Sequence, residues 1–409
     1  MAVLIEELDL TTLRRGRPIV FDKIDVTVSY NEAGSFVLEM PADDRNWDLI
    51  QLDGTGHLIP VGLVVDWNGV YTWVGRAEEY AFRRTLADGR IVETLTLTGA
   101  DALTLLANRI AYPSPGAAWS AQAIASTTYT DPAETIIKDI VSANLITAGD
   151  TARRATFVSI ATDQGRGSTA TYKVVTPDPD ASSGTETTTV NQSLMDMVRA
   201  VDEQSPMVVS LELGDGELVL DVYEPRDLSE AAVFSATLGN LVEASLTVSD
   251  PNGNAILTQS KVSGTEFSQT NGAGYNDPWR RVEVFNDQSS TDTAGDITTQ
   301  AASLVASNAG RIRIAVTVVD LPKLRFGADT TGVQGYRVGD IVTLDIRDGV
   351  SYSDVISKVQ LVADATGDAY AETVTPTIGR SESEEDQRID FRMASQLRRL
   401  ERALRGSAS

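Results

Sequence analysis

The chain has 409 residues, no cysteine, one histidine, and 34 Lys+Arg against 58 Asp+Glu, a formal net charge of −24. Disulfides, thiolate zinc sites, multi-histidine metal centres and a Glu-x-x-His di-iron box are therefore excluded within one chain. The acidic excess argues against a nucleic-acid binder, which needs a cationic footprint to release counterions from phosphates; it suits a well-solvated surface, or one that repels a polyanion.

At roughly 100–200 residues per domain the length predicts two to four domains. A hydrophobic content of 42% is enough to fill their cores. No apolar run is long enough for a membrane-spanning helix, and "MAVLIEELDL" opens acidic rather than basic. Neither a membrane anchor nor an export signal is expected.

The first segment, 1–115, reads as β. In "PIVFDKIDVTVSY" the residues Ile24, Val26 and Val28 alternate on one face, as in a half-buried strand. "NEAGSFVLEMPADD" gives a turn and a second strand, and "HLIPVGLVVDWNGVYTWVGRAEEYAF" gives two more around Asn68-Gly69, a strong hairpin signal. "ETLTLTGADALTLLANRIAYPSPG" predicts a strand, a break at Gly99, a short helix and a Pro-rich boundary at 113–116. His57, in "DGTGHLIP", is expected at the surface.

The second segment, 116–239, mixes types. Asp131-Pro132 suits an N-cap and first helical position, with Ile136, Ile137, Ile140 and Val141 as an apolar stripe. "ATYKVVTPDPDASSGTETTTVNQ" reads as a long exposed connection. Ser193-x-x-Asp196 is a capping box ahead of Leu194, Met197, Val198 and Val201 at helical spacing. "MVVSLELGDGELVLDVYEP" is a hairpin turning at 214–216.

The third segment, 240–380, returns to β: a strand in "NLVEASLTVSD", a Gly/Asn-rich loop from Ser263 to Asp277, and a strand in "RRVEVFND". A helix follows, capped by Asp296, with Ile297, Leu304 and Val305 inward and Gly310 as its stop. "RIRIAVTVVD" and "YRVGDIVTLDIRDGVSYSDVISKVQL" complete it, the latter a hairpin turning at Asp348-Gly349. The two units "DWNGVYTW" and "IRDGVSYS" hint at a duplication, but the apolar phase of the strands before them does not match.

The tail, 381–409, predicts a helix over about 383–405. Ser383 caps it, Glu384, Glu385 and Asp386 suit its first turn, Arg398, Arg399, Arg402 and Arg405 its last turns, and Gly406 its stop. Met393, Leu397, Leu400 and Leu404 step by four, three and four, a two-heptad seam. Such a seam serves self-association or a partner protein, or folds back on the body; sustained coiled coils run longer.

Four stretches carry a family resemblance. These are "SFVLEMPADDRNWDLIQ", "LTLTGADALTLLANRIAYPSP", "YEPRDLSEAAVFSATLGNL" and "YRVGDIVTLDI" with its sequel through "VTPTIG". In this order, over roughly Phe36 to Gly379, the chain resembles the Gp37-like tail proteins of siphophages that infect actinobacteria, a branch of the baseplate-hub and tail-tip family. The resemblance implies an α+β, β-rich fold with two β-barrel-like tube domains (1–115 and 240–380), an α/β insertion domain (116–239) and the C-terminal helix. It implies a structural virion protein of the tail tip, assembled in the host cytoplasm. Three copies would form a ring that continues the tail tube, between a distal tail or tube protein above and tip or fibre proteins below, with DNA only passing through. Neither the stretch 171–190 nor the terminal helix has a counterpart in that pattern.

No cofactor, metal or catalytic residue is expected. Gly-x-Ser-x-Gly, His-Glu-x-x-His, a Cys/His pair and a Walker loop are all missing, which disfavours a tail-associated cell-wall hydrolase. "SDPNGN" and "DPDASSG" do not fit a calcium loop and read as turns. A host-glycan receptor-binding protein is the other rival, although the aromatic residues do not cluster along the sequence.

Overall fold

The computed structural model describes residues 3–379 apart from 88–89, 123, 125, 176–192, 261–265, 289–300, 303, 306–307, 310, 319–320, 322, 329–332, 348–349 and 367–369. Asp296, Ile297, Gly310, the Asp348-Gly349 turn and the C-terminal seam fall outside the described residues.

The first segment folds as strands β1 (Leu4–Leu8), β2 (Arg15–Pro18), β3 (Lys23–Ser29), β4 (Ser35–Pro41), β5 (Gly62–Trp67), β6 (Tyr71–Ala87) and β7 (Arg90–Asp101). It also carries two one-turn helices, α1 (Asp44–Trp47) and α2 (Thr104–Ala107). Period-two burial drives β3 and β4: Ile24, Val26, Phe36, Leu38 and Met40 are buried on one face. Asn68 and Gly69 both take positive φ (56° and 70°), as a primed hairpin turn requires, and Val70 N–H donates to Trp67 O at 3.1 Å. Gly99 is no break, because β7 runs through it. A Cβ there would lie 2.0 Å from Arg76 O and 2.7 Å from the Phe36 ring, so glycine permits close strand approach beside the β6 bulge between Ala77 and Glu79.

The second segment adds β8 (Ser126–Pro132), α3 (Ala133–Val141), β9 (Val158–Ile160), β10 (Thr169–Val175), α4 (Leu194–Asp202), β11 (Val208–Leu213) and β12 (Leu218–Tyr223). The Asp131 cap is not formed. β8 pairs with β10 through Pro132, so Asp131 belongs to the ladder and Pro132 occupies the cap position without a side-chain bond. The stretch read as a connection accordingly begins as β10 up to Val175. The Ser193/Asp196 capping box is present in both directions, and the stripes of α3 and α4 are buried. They share one core with β9, β11 and β12, joined by Leu8, Val64, Val74 and Leu106 of the first segment.

The third segment contributes β13 (Val233–Ser235), β14 (Leu241–Ser249), β15 (Ala255–Ser260), β16 (Glu266–Asn271), β17 (Glu283–Gln288), β18 (Arg311–Val318), β19 (Leu324–Phe326), β20 (Gln334–Tyr336), β21 (Ile341–Arg347), β22 (Val350–Asp364) and β23 (Ala371–Ile378). β16 occupies what the sequence suggested was loop: Phe267, Gln269 and Asn271 cross-pair with β15. β21 and β22 form the expected antiparallel hairpin.

The two β segments join. β22 pairs with β3 from Lys358↔Ser29 to Asp364↔Lys23, and the resulting sheet of thirteen strands has the main path β14-β18-β23-β22-β3-β4-β7-β6-β5-β1-β2. Its core draws on both segments at once. Tyr71 of the first meets Phe326 of the third edge-on at 4.9 Å, and Phe326, Tyr336 and Phe234 continue the aromatic contact. Among the described residues no pairing closes this sheet into a barrel. The protein is β-rich, and among the described residues its two longest helices, α3 and α4, lie in the middle segment.

Candidate assembly surface

The groups with chemical potential are engaged in structure. His57 is 81% exposed; its Nδ1 lies 2.6 Å from Thr55 Oγ1. The Thr55 hydroxyl and the His57 and Thr55 N–H groups hold Asp53 below the usual carboxylate range. This is a solvated turn that satisfies itself. Among the described residues no group of three or more His, Cys, Asp or Glu could hold a metal. "SDPNGN" works as a loop tie: Asn254 donates to Ala273 O and Arg280 O and accepts from Val282 N–H at 2.8–3.0 Å.

Buried charges make joints. Arg226 Nε and Nη2 donate to the two oxygens of Asp340 at 2.9 and 2.6 Å, and Arg337 N–H adds a third bond at 2.8 Å. Asp340 is almost fully buried. Thus "YEPRDL" and "YRVGDI", two of the stretches that carried the resemblance, are one bidentate clamp in space. In the middle segment burial pushes Glu134 up, but bonds from Lys138 and from the Arg166 and Gln164 N–H groups hold it below the ordinary range. Lys138 Nζ bridges Glu134 and Asp221 at 2.6 and 3.1 Å, fixing the 161–168 loop to α3 and β12.

The middle segment is locked to the sheet by the turn after β3. Tyr30 OH donates its single proton to Asp202, with Met207 O a more distant 3.1 Å away, Asn31 donates to Met207 O and accepts from Val209 N–H, and Arg199 reaches Asn31 O and Glu32. A groove of about 480 Å³ opens beside this lock between α4 and the β21–β22 hairpin. Deeper, a cavity of about 90 Å³ lies where β11 and β12 meet the sheet, lined by Tyr71, Asp101, Glu212, Tyr223 and Arg337. Burial pushes Asp101 up to about 7, against the pull of backbone N–H donors such as Leu103 at 3.0 Å.

The two edges of the main sheet differ in how they are protected. β2 is an edge of four residues carrying Arg15, Arg17 and Pro18, with Arg15 paired to Glu6 at 3.1 Å, features that discourage edge pairing. The opposite edge, β14, has nine residues and pairs only with β18 among the described residues. Its Val242 is 66% exposed and it has neither Lys nor Pro. Beyond the reach of β4 and β5, residues 85–87 and 90–92 pair, among the described residues, only with each other and form a short two-stranded arm. Leu86, Ile91 and Val92 are exposed along it, while Phe82 at its base packs on Trp47 with ring centroids 5.2 Å apart. The sequence did not mark these as a surface, because alternation alone cannot tell a strand covered on one face from one projecting beyond its neighbours. Met393, Leu397, Leu400 and Leu404, the predicted seam, lie outside the described residues.

The fold of this β-rich body is shared with phage tail proteins. It matches the 43 kDa tail protein of prophage MuSo2 from Shewanella oneidensis at 13% identity and TM-score 0.52, covering 93% of this chain and 98% of that one. It also matches the tail protein from Neisseria meningitidis MC58 at 12% identity and TM-score 0.53, covering 93% and 96%. Among curated proteins none matches. The chain belongs to the Siphovirus ReqiPepy6 Gp37-like protein family, whose sequence model matches residues 5–380. This is a phage tail-type family, in agreement with the resemblance read from the sequence.

Proposed function

We propose that the protein is a structural baseplate-hub or tail-tip component of a siphophage, without enzymatic activity, and that three copies form a ring continuing the tail tube. In this reading residues 1–115 and 240–380 supply two barrel-like tube-wall units per copy, so three copies can meet a six-fold tube above. Residues 116–239 are the inserted domain. Neighbours are a distal tail or tube protein on one side and tip or fibre proteins on the other; DNA passes through the lumen without being bound.

The observation that carries this reading is the β14 edge. Among the described residues β14 is paired on one side only, by β18; an open strand edge is an aggregation hazard unless a partner covers it, and a closed ring of copies would do so. The exposed arm offers a second apolar contact of the kind found at interface cores. The test is the mass of the purified protein in solution and the copy number in intact tails. Three copies are expected; a stable closed hexamer or an obligate dimer in the virion overturns the reading.

A further inference from the structure

The small sheet β16–β15–β17 stands off the main path, and its two faces differ. Ile256, Thr258 and Asn286 are buried on one face. The register Leu257↔Gln269, Gln259↔Phe267 and Leu257↔Phe285 places Leu257, Phe267, Gln269 and Phe285 together on the other. Ala255 at one end of that face is buried and Leu257 half-buried, but the aromatic side chains on it are bare: Phe267 is 76% and Phe285 62% exposed. Trp279, 97% exposed, stands in the connection between β16 and β17, which leaves and re-enters the sheet at the end where Asn271 and Glu283 flank Ala255. Glu283 and Asp287 flank Phe285 on the same face and give it an acidic rim, Arg281 reaching Glu283 at 2.7 Å.

The chain's last strand points at this sheet. β23 runs antiparallel to β18 with Ala315↔Thr377 and Ile314↔Ile378, so its continuation heads toward Arg311. Arg311 pairs with Ser249, and the segment from Ser249 to Arg311 is the one that forms the small sheet, with Asn252 and Gly253 N–H both donating to Asn308 O. About three residues, or ~10 Å of extended chain, separate the exit from that junction. Thirty residues follow, 380–409. A helix over 383–405 would be ~35 Å long, enough to cross a face of ~20 by 10–15 Å. It offers Met393, Leu397, Leu400 and Leu404 to the aromatic residues and Arg398, Arg399, Arg402 and Arg405 to the acidic rim.

We propose that the C-terminal segment 380–409 of the same chain docks on the outer face of the β16–β15–β17 sheet, covering Phe267, Phe285 and Trp279. Apolar burial holds it, the arginines set its orientation, and the short tether supplies an effective concentration that a separate partner lacks. The proposal is independent of the number of copies in the ring.

Because the chain is free of cysteine, one pair of cysteines can be placed without competition. In Gln269→Cys/Gln396→Cys and Gln269→Cys/Ala403→Cys a short bismaleimide should link the two sites within a single chain, and the link should be lost in denaturant. Links that join two chains instead give the face to a second copy and overturn the proposal, as does the absence of links in folded protein. A second measurement needs no cysteine. Amides of 383–405 in the full-length protein should exchange at least about tenfold more slowly than in the same peptide alone. Phe285→Asp should abolish that protection without changing exchange in β22 and β23. Equal rates in protein and peptide, or protection that survives Phe285→Asp, overturn it.

Discussion

Asp340 is a carboxylate with 1% of its surface exposed, and Arg226 meets both its oxygens across a separation of 114 residues in the chain. Removing the guanidinium leaves a buried charge with only a backbone donor, so Arg226→Met should cost about 2–4 kcal/mol, discounted from the fully buried case because Arg226 is itself partly solvated. Arg226→Lys should recover only part, since an ammonium cannot span both oxygens. Urea unfolding of the three proteins checks this; equal midpoints would mean the clamp is decorative. Asp101 works in the opposite direction. Its folded value, about 7, lies above the ordinary 3.8 because of burial. The folded state therefore holds a proton that the unfolded chain releases between those values, and stability is full below about pH 4 and lost as pH rises through 7. Asp101→Asn should flatten that slope and raise stability at pH 8 by at most about 4 kcal/mol, because an amide oxygen can still accept from Leu103 N–H. Melting temperatures from pH 5 to 8 decide it; parallel curves for the two proteins would show that Asp101 titrates elsewhere.

Elements were legible wherever local chemistry decided them. The capping box at Ser193 and Asp196, the stripe Ile136, Ile137, Ile140 and Val141, and the Asn68-Gly69 turn are each fixed by neighbours a few residues away, and each formed as read. The misreadings share one cause, a distant ladder. β10 exists because it pairs with β8, β16 because it pairs with β15, and Pro132 occupies the cap position of α3, without a capping bond, because Asp131 is held in the ladder opposite Ala170. The assembly surface was hardest to read, since projection of the arm and exposure of β14 depend on which strands stop short. Gly99 illustrates the same limit: read locally it is a breaker, yet in the sheet it is the residue that lets β4, β6 and β7 approach. Gly99→Ala would place a methyl 2.0 Å from Arg76 O, and overpacking of this kind costs about 1–3 kcal/mol. A lowered melting temperature with unchanged β content is expected; a variant as stable as the parent would show that the bulge at Glu78 relaxes freely.

At the scale of the molecule, the sheet and the charge act together. The pairing of β22 with β3 merges what the sequence presents as two β segments around one core, giving one sheet with β2 at one end of its path and β14 at the other. If the ring surrounds the DNA path, part of the −24 should face the lumen, where like charge keeps a polyanion from adhering over the ~8 Å that it reaches at physiological salt. A lumen lined mainly by Lys and Arg in an assembled tail would contradict that placement. If copies close into a ring through β14, a change on that edge should break it. Val242 is exposed and sits at the bulge between Leu241 and Glu243, where it supports no core contact. Val242→Lys should change the stability of a single copy by no more than about 0.5 kcal/mol. A lysine on an edge strand nevertheless resists pairing with another chain, because its ammonium would be trapped against the incoming backbone. Leu86→Lys is the matched change on the arm, 75% exposed and equally remote from the core. If β14 is the edge that neighbours occupy, Val242→Lys gives folded single copies that do not enter tails, with a circular dichroism spectrum like the parent's. If only the arm matters, Leu86→Lys does so and Val242→Lys assembles normally. Assembly of both variants at parental mass would remove these surfaces from the ring and leave the open edge without a partner among the copies.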